Sequence, residues 1–222
     1  MRHVFIVPGY GIPKDILRDS GYQAYLKTAF RAVCARLGAR HTALVILSGG
    51  PTGGRGGKTE ASEMRRFARD LSRDPRFNCA WERVEFAEER RSLSSLENLL
   101  FARELMKESG IRPRRIATFC ELTRKKRIKT LARKIFRGKA AVDVLAVDFD
   151  RSPDRYLETE TMRMREWNHL KFDLWALKSP ENLASHRSLV EKRLRKLRQK
   201  GVTDRIKTQL WWSRELRRLL SG

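Results

Sequence analysis

Residues 43–71 read ALVILSGGPTGGRGGKTEASEMRRFARDL, and they hold the plan of the chain in miniature. The apolar run from Ala43 to Leu47 is too short for a helix and suits a strand buried on both faces. It halts at Ser48-Gly49-Gly50. A loop of small residues then leads to Thr59, the expected N-cap of a helix whose Met64, Phe67, Ala68 and Leu71 recur at helical spacing. A buried strand followed by an amphipathic helix is the βα unit of a parallel sheet.

The same alternation extends in both directions. Val4 to Val7 predicts a first strand that ends in Pro8-Gly9-Tyr10-Gly11, and Tyr22, Tyr25, Leu26, Ala29, Phe30, Val33 and Leu37 form the stripe of the helix behind it. Downstream, Val84 and Phe86 predict a weaker third strand, and Leu99, Leu100, Ala102, Leu105 and Met106 its helix. Ile116 to Cys120 is a fourth strand, Ile128, Leu131, Ala132, Ile135 and Phe136 a helical stripe, and Val142 to Val147 a fifth strand. Residues 1–148 are thus predicted to be an α/β domain, a parallel sheet of about five strands with helices on both faces. From there strand-like runs vanish. Residues 149–222 are expected to be a basic helical C-terminal extension packed on that domain, with Trp211 and Trp212 docking the last helix.

Lys and Arg number 49 against 26 Asp and Glu, a net charge of +23 whose field concentrates anions near the surface. About +17 of it lies in residues 1–139. An anionic partner is therefore the first expectation. The apolar run in Met1 to Val7 is too short for a signal-peptide core, and no window approaches the roughly 18 apolar residues of a membrane span. A cytoplasmic protein without a transmembrane segment is expected. Cys34, Cys79 and Cys120 are odd in number and far apart, with no C-x-x-C pair, which argues against a disulfide framework or a zinc knuckle and fits a reducing compartment, and the four scattered histidines predict no structural metal.

Ligands of open parallel sheets bind beyond the carboxyl ends of the strands. The loop from Pro8 to Gly11 and the loop from Ser48 to Lys58, which also carries Arg55, have small residues whose backbone N–H groups can approach an anion. The second loop lacks the spacing of a P-loop, and a plain strand-to-helix turn reads equally well. Glu60 falls at the positive end of the second helix, where an acid compensates the dipole, and Ser94 with Glu97 fits a capping box.

In combination, Ser48-Gly49-Gly50, Thr59-Glu60-Ala61 and Ser92-x-x-Ser95-x-Glu97-Asn98 resemble the signature series of the YdcF/SanA/ElyC domain family across residues 4–137. Tyr25, Leu26 and Arg31 are similar to its first-helix pattern, and Ser95 keeps the hydroxyl of the usual Thr. The family's fourth loop reads T-[SD]-x-[FY]-H-x-x-R-A. Here Cys120-Glu121-Leu122-Thr123-Arg124-Lys125-Lys126-Arg127-Ile128 places Arg127 at the Arg position and Arg124 where His stands. A guanidinium does not exchange protons near pH 7, so the histidine's acid–base role does not carry over to Arg124.

The resemblance implies a Rossmann-like fold. With the loops it points to a phosphorylated or nucleotide-like small molecule bound by Gly9, Ser48, Gly49, Gly50, Lys58, Glu60, Ser92, Ser95, Asn98 and Arg127. Glu60 and Glu97 are the acid–base candidates, an adenosine-type cofactor is compatible, and the reaction, or whether there is one, stays open. The alternative is a nucleic-acid- or polyanion-binding protein that uses residues 112–139, where twelve Lys and Arg face Glu121 alone. A solvated helix face on a basic scaffold is the plainest reading of that stretch.

Overall fold

The apolar runs become strands β1 (Arg2–Pro8), β2 (Thr42–Ser48), β3 (Val84–Glu89), β4 (Arg115–Glu121) and β5 (Ala141–Val147). Helices α1 (Ser20–Cys34), α2 (Glu60–Ser72), α3 (Ser95–Glu108) and α4 (Lys125–Ile135) connect them. The computed structural model describes residues 2–10, 19–37, 41–52, 58–149, 159–200 and 205–220. Gly11, Gly53, Gly54, Arg55, Gly56 and Gly57, which the sequence places in the two glycine loops, lie outside the described residues.

All five strands are parallel, in the order β3-β2-β1-β4-β5. This is the Rossmann-like α/β sheet that the alternation of strand and helix predicts. α1 and α2 cover the face that bears Phe5, Val7, Val45, Leu47 and Phe119. The alternating residues Val4, Ile6, Leu44 and Ile46 look the other way, where α3 and α4 pack. Burial on both sides explains why β1, β2 and β4 read as continuous apolar runs, whereas the edge strand β3 is half exposed and reads weakly. α3 stops at Gly110, whose φ of 67° only glycine adopts cheaply, and Ile111 N–H closes the helix end on Met106 O at 2.8 Å.

The cysteine expectation is corrected. Cys34, the last residue of α1, is bonded to Cys79 in the connection from α2 to β3, with Cα atoms 5.3 Å apart. The segments that lead into β2 and β3 must run side by side because those strands are neighbours, and a separation of 45 residues hides this in the sequence. Cys120 is buried and outside the disulfide.

The chain divides into two compact units, residues 1–156 and 157–222. The second consists of α5 (Thr159–Ala176), α6 (Pro180–Lys200) and α7 (Arg205–Leu220), which contact one another pairwise. Trp212 is buried inside this unit, 5.5 Å from the ring of Phe172 and 5.7 Å from that of His169, with the Arg193 guanidinium 4.8 Å from its own ring. Asp173 on α5 and His186 on α6 are buried together, with Oδ1 and Nε2 3.1 Å apart, and the imidazole lies 4.2 Å from the ring of Phe172. Among the described residues no helix is long and apolar enough to cross a membrane.

Candidate functional site

The sheet order reverses between β1 and β4, since the chain runs outward through β2 and β3 and then crosses back to add β4 and β5. β1 and β2 stay paired from Arg2 with Thr42 through Pro8 with Ser48, and β4 pairs with β5 over its whole length. β1 and β4 are in register only from Val4 with Ile116 to Ile6 with Thr118. Their pairing goes no further. The carboxyl ends where the order switches are the ligand position of this class of sheet.

On the β2–β3 side, the residues of the signature series meet. Ser48 Oγ donates to Glu89 Oε2 at 2.6 Å and lies 3.2 Å from Asn98 Oδ1, which accepts from Ser92 Oγ at 2.5 Å. Glu89 Oε1 in turn accepts the N–H groups of Arg91 and Ser92 at 2.6 and 3.1 Å. All four side chains are buried. They tie the end of β2 to the end of β3 and to the first turn of α3. Glu89 was not expected here, because an acid at the end of a weak strand reads as a solvated side chain; its position beside a buried serine is set by pairing of Ser48 with Glu89 across the sheet.

Glu97, an acid–base candidate from sequence, is only 2% exposed, and its Oε2 accepts the N–H of Leu93 at 2.7 Å. Ser94 Oγ accepts from Glu97 N–H, so the expected capping box forms with its carboxylate shifted one residue back along the loop. Ser95 opens α3, half exposed.

The glycine amides are occupied by main-chain carbonyls. Gly9 N–H donates to Ser48 O at 2.5 Å, Gly49 N–H to Glu89 O at 2.9 Å and Gly50 N–H to Ser92 O at 2.7 Å. The glycines serve close approach. A Cβ on Gly9 would stand 1.9 Å from Glu60 Oε2, one on Gly49 2.7 Å from Glu60 Cβ, and one on Gly50 2.4 Å from Ser92 O. Gly9 and Gly49 therefore leave room for the Glu60 carboxylate to lie across the ends of β1 and β2. Thr59 caps α2 with Ser62, and Glu60 follows as the first helical residue, half exposed. Lys58 is exposed and 3.8 Å from Glu63.

On the other side of β1, β4 leads into a single 3-10 turn, Leu122–Arg124, and then into α4. Glu121 is buried and accepts the Thr123 N–H at 2.9 Å. Arg124 is half exposed and its guanidinium lies 4.9 Å from the ring of Tyr10, in the loop after β1. Arg127 falls on the buried side of α4. The β1 loop is held from beneath by two phenols, for Tyr10 N–H donates to Tyr22 Oη at 3.0 Å and Tyr25 Oη donates to Pro8 O at 3.2 Å. Phe149 packs on Tyr10, Tyr22 and Tyr25. Burial pushes the Tyr22 phenol well above its usual range, the negative charge of Glu60 adds to this, and Arg124 acts the other way. Glu60 and Arg124 thus act on the same phenol with opposite sign.

Among the described residues no group of three His, Cys, Asp or Glu side chains converges as metal ligands would. No family model matches the chain. No curated protein matches it either.

Proposed function

We propose that this chain is a YdcF-like protein that binds a phosphorylated or nucleotide-like small molecule where the pairing of β1 with β4 stops. The observation that carries this reading is the placement of two half-exposed groups of opposite charge, Glu60 and Arg124, at the switch point of the sheet. The Arg124 guanidinium can fork two hydrogen bonds onto a phosphate, and the net charge of +23 draws such a ligand in. Glu60 is the group suited to accept a ribose hydroxyl or to move a proton, because it is half exposed whereas Glu89, Glu97 and Glu121 are buried. Ser48, Ser92 and Asn98 then act as a frame that fixes the strand ends around the ligand.

The test is a thermal-shift screen of nucleotides, nucleosides and sugar phosphates, followed by calorimetry on variants. Arg124→Ala should weaken the best ligand by about tenfold or more, as loss of a charge-assisted contact does. Glu60→Gln should lower affinity for ligands with a ribose and leave simple phosphates unaffected. Arg127→Ala, made in parallel, tests the residue that the family motif singles out. Affinity unchanged in both Arg124→Ala and Glu60→Gln would sink the proposal.

A further inference from the structure

The outer face of α4 departs from the way the helices beside it are charged. α2 mixes Glu60, Glu63 and Asp70 with its arginines, and α3 mixes Glu97, Glu104 and Glu108 with Arg103 and Lys107. α4, KKRIKTLARKI, has no acid at all. Lys125 and Lys126 occupy its first turn, the end where the helix dipole is already positive. Lys125 and Lys129, then Lys129 and Arg133, stand one turn apart and repel. The apolar stripe of Ile128, Leu131, Ala132 and Ile135 would pack as well with acids on the outer face. The pattern thus weakens the helix locally.

The flanks continue it. Arg112, Arg114 and Arg115 precede β4, and Arg137 and Lys139 follow α4; the two flanks meet where Ala141 N–H donates to Arg114 O at 3.0 Å. Ten of the twelve cations between residues 112 and 139 are exposed. Arg115 is paired with Asp143 at 2.9 Å, and Glu121, the sole acid of the stretch, is buried.

We infer that the outer face of α4 is a nucleic-acid-binding surface that grips the phosphodiester backbone without reading bases. Lys125, Lys126, Lys129, Arg133, Lys134 and Arg137 make the contacts. Lys125, Lys129 and Arg133 recur about every 6 Å along the helix and Arg137 follows just past its end, a repeating row that suits a repeating backbone of phosphates. The exposed positions of α4 hold no aromatic or large apolar side chain, so there is nothing to stack on a base and nothing to form the core of a protein interface. None of the six belongs to the strand-end site.

The experiment is fluorescence anisotropy of the full chain with labelled single and double strands of about 20 nucleotides, in two unrelated sequences. Binding should be independent of sequence and fall about 1,000-fold between 50 and 200 mM salt, as roughly six phosphate contacts require. The variant Lys125→Gln/Lys129→Gln/Arg133→Gln/Arg137→Gln should lose at least about tenfold in affinity at 50 mM salt, flatten the log–log salt slope by about three, and melt no lower than wild type because repulsion is relieved. Lys27→Gln/Arg66→Gln/Arg69→Gln/Arg73→Gln, with the same loss of charge on and beside α1 and α2, should change affinity by less than about threefold. No binding by wild type at 50 mM salt, equal losses in the two variants, or competition by polyglutamate as strong as by oligonucleotide would each overturn the inference.

Discussion

Where β2 and β3 end, Ser48, Glu89, Ser92 and Asn98 are buried and hydrogen-bonded to one another, whereas the pairing of β1 with β4 stops short of the strand ends and two groups near them, Glu60 and Arg124, are half exposed. One edge of one sheet thus carries a frame and a gap. The difference follows from topology. β2 and β3 are consecutive and stay in register to their last residues, while β1 and β4 are not consecutive, the chain returning past β2 and β3 to reach β4, and they pair only in the middle of their length. A polar group in the frame acts on stability, and one at the gap can act on a ligand at little cost to the fold.

The hardest blow to the frame should come from Gly50→Ala, whose new Cβ meets the backbone oxygen of Ser92 at 2.4 Å, an atom that cannot swing aside. A loss of about 3 kcal/mol by denaturant unfolding is expected. Ser48→Ala should cost about 2 kcal/mol, since it leaves Glu89 Oε2 buried without its donor. If Ser48→Ala were neutral, the frame would not be holding the strand ends.

On the gap side, Tyr22→Phe should cost about 1 kcal/mol by orphaning the Tyr10 N–H. Tyr22 and Tyr25 also supply a pH readout. Both phenols are raised in the fold, by burial first, so the stability they confer is complete below about pH 10, the unfolded value, and is lost as pH rises towards their folded values. Ultraviolet titration should find these two ionising only as the chain unfolds in alkali; early, reversible ionisation of all tyrosines would show that the β1 loop is not anchored. The smallest effect on stability is expected for Glu60→Gln, within about 0.5 kcal/mol of wild type, which is what separates a ligand group from a frame group.

How much of this can be read without coordinates depends on whether a residue's role is local. β1, β2 and β4 are legible because burial on both faces demands an unbroken apolar run, and Thr59 and Ser94 because a cap lies within three residues of its partner. The meeting of Ser48 with Asn98 is legible only through the resemblance, since 50 residues separate them. Among the described residues, three glycines of these loops mislead. They suggest amides turned towards an anion, yet the amides of Gly9, Gly49 and Gly50 donate to neighbouring carbonyls, and at Gly9 and Gly49 the missing side chain makes room for Glu60. Arg124 is passed over in the sequence because it breaks a motif, and its position over Tyr10 depends on two loops more than a hundred residues apart. The buried pair of Asp173 and His186 escapes for the same reason, since it joins two different helices.

The bond between Cys34 and Cys79 encloses all of β2 and α2, together with the loop between them. A protease that cuts the backbone anywhere between these cysteines leaves two fragments in one covalent molecule, which would migrate as intact chain until a reductant is added. Making that clasp needs an oxidising partner while the chain folds. The fragment sizes after reduction would then report where between the two cysteines the cut fell, and a nicked, unreduced chain that still melts as a unit would show that the sheet, with β2 between β1 and β3, holds without an unbroken backbone.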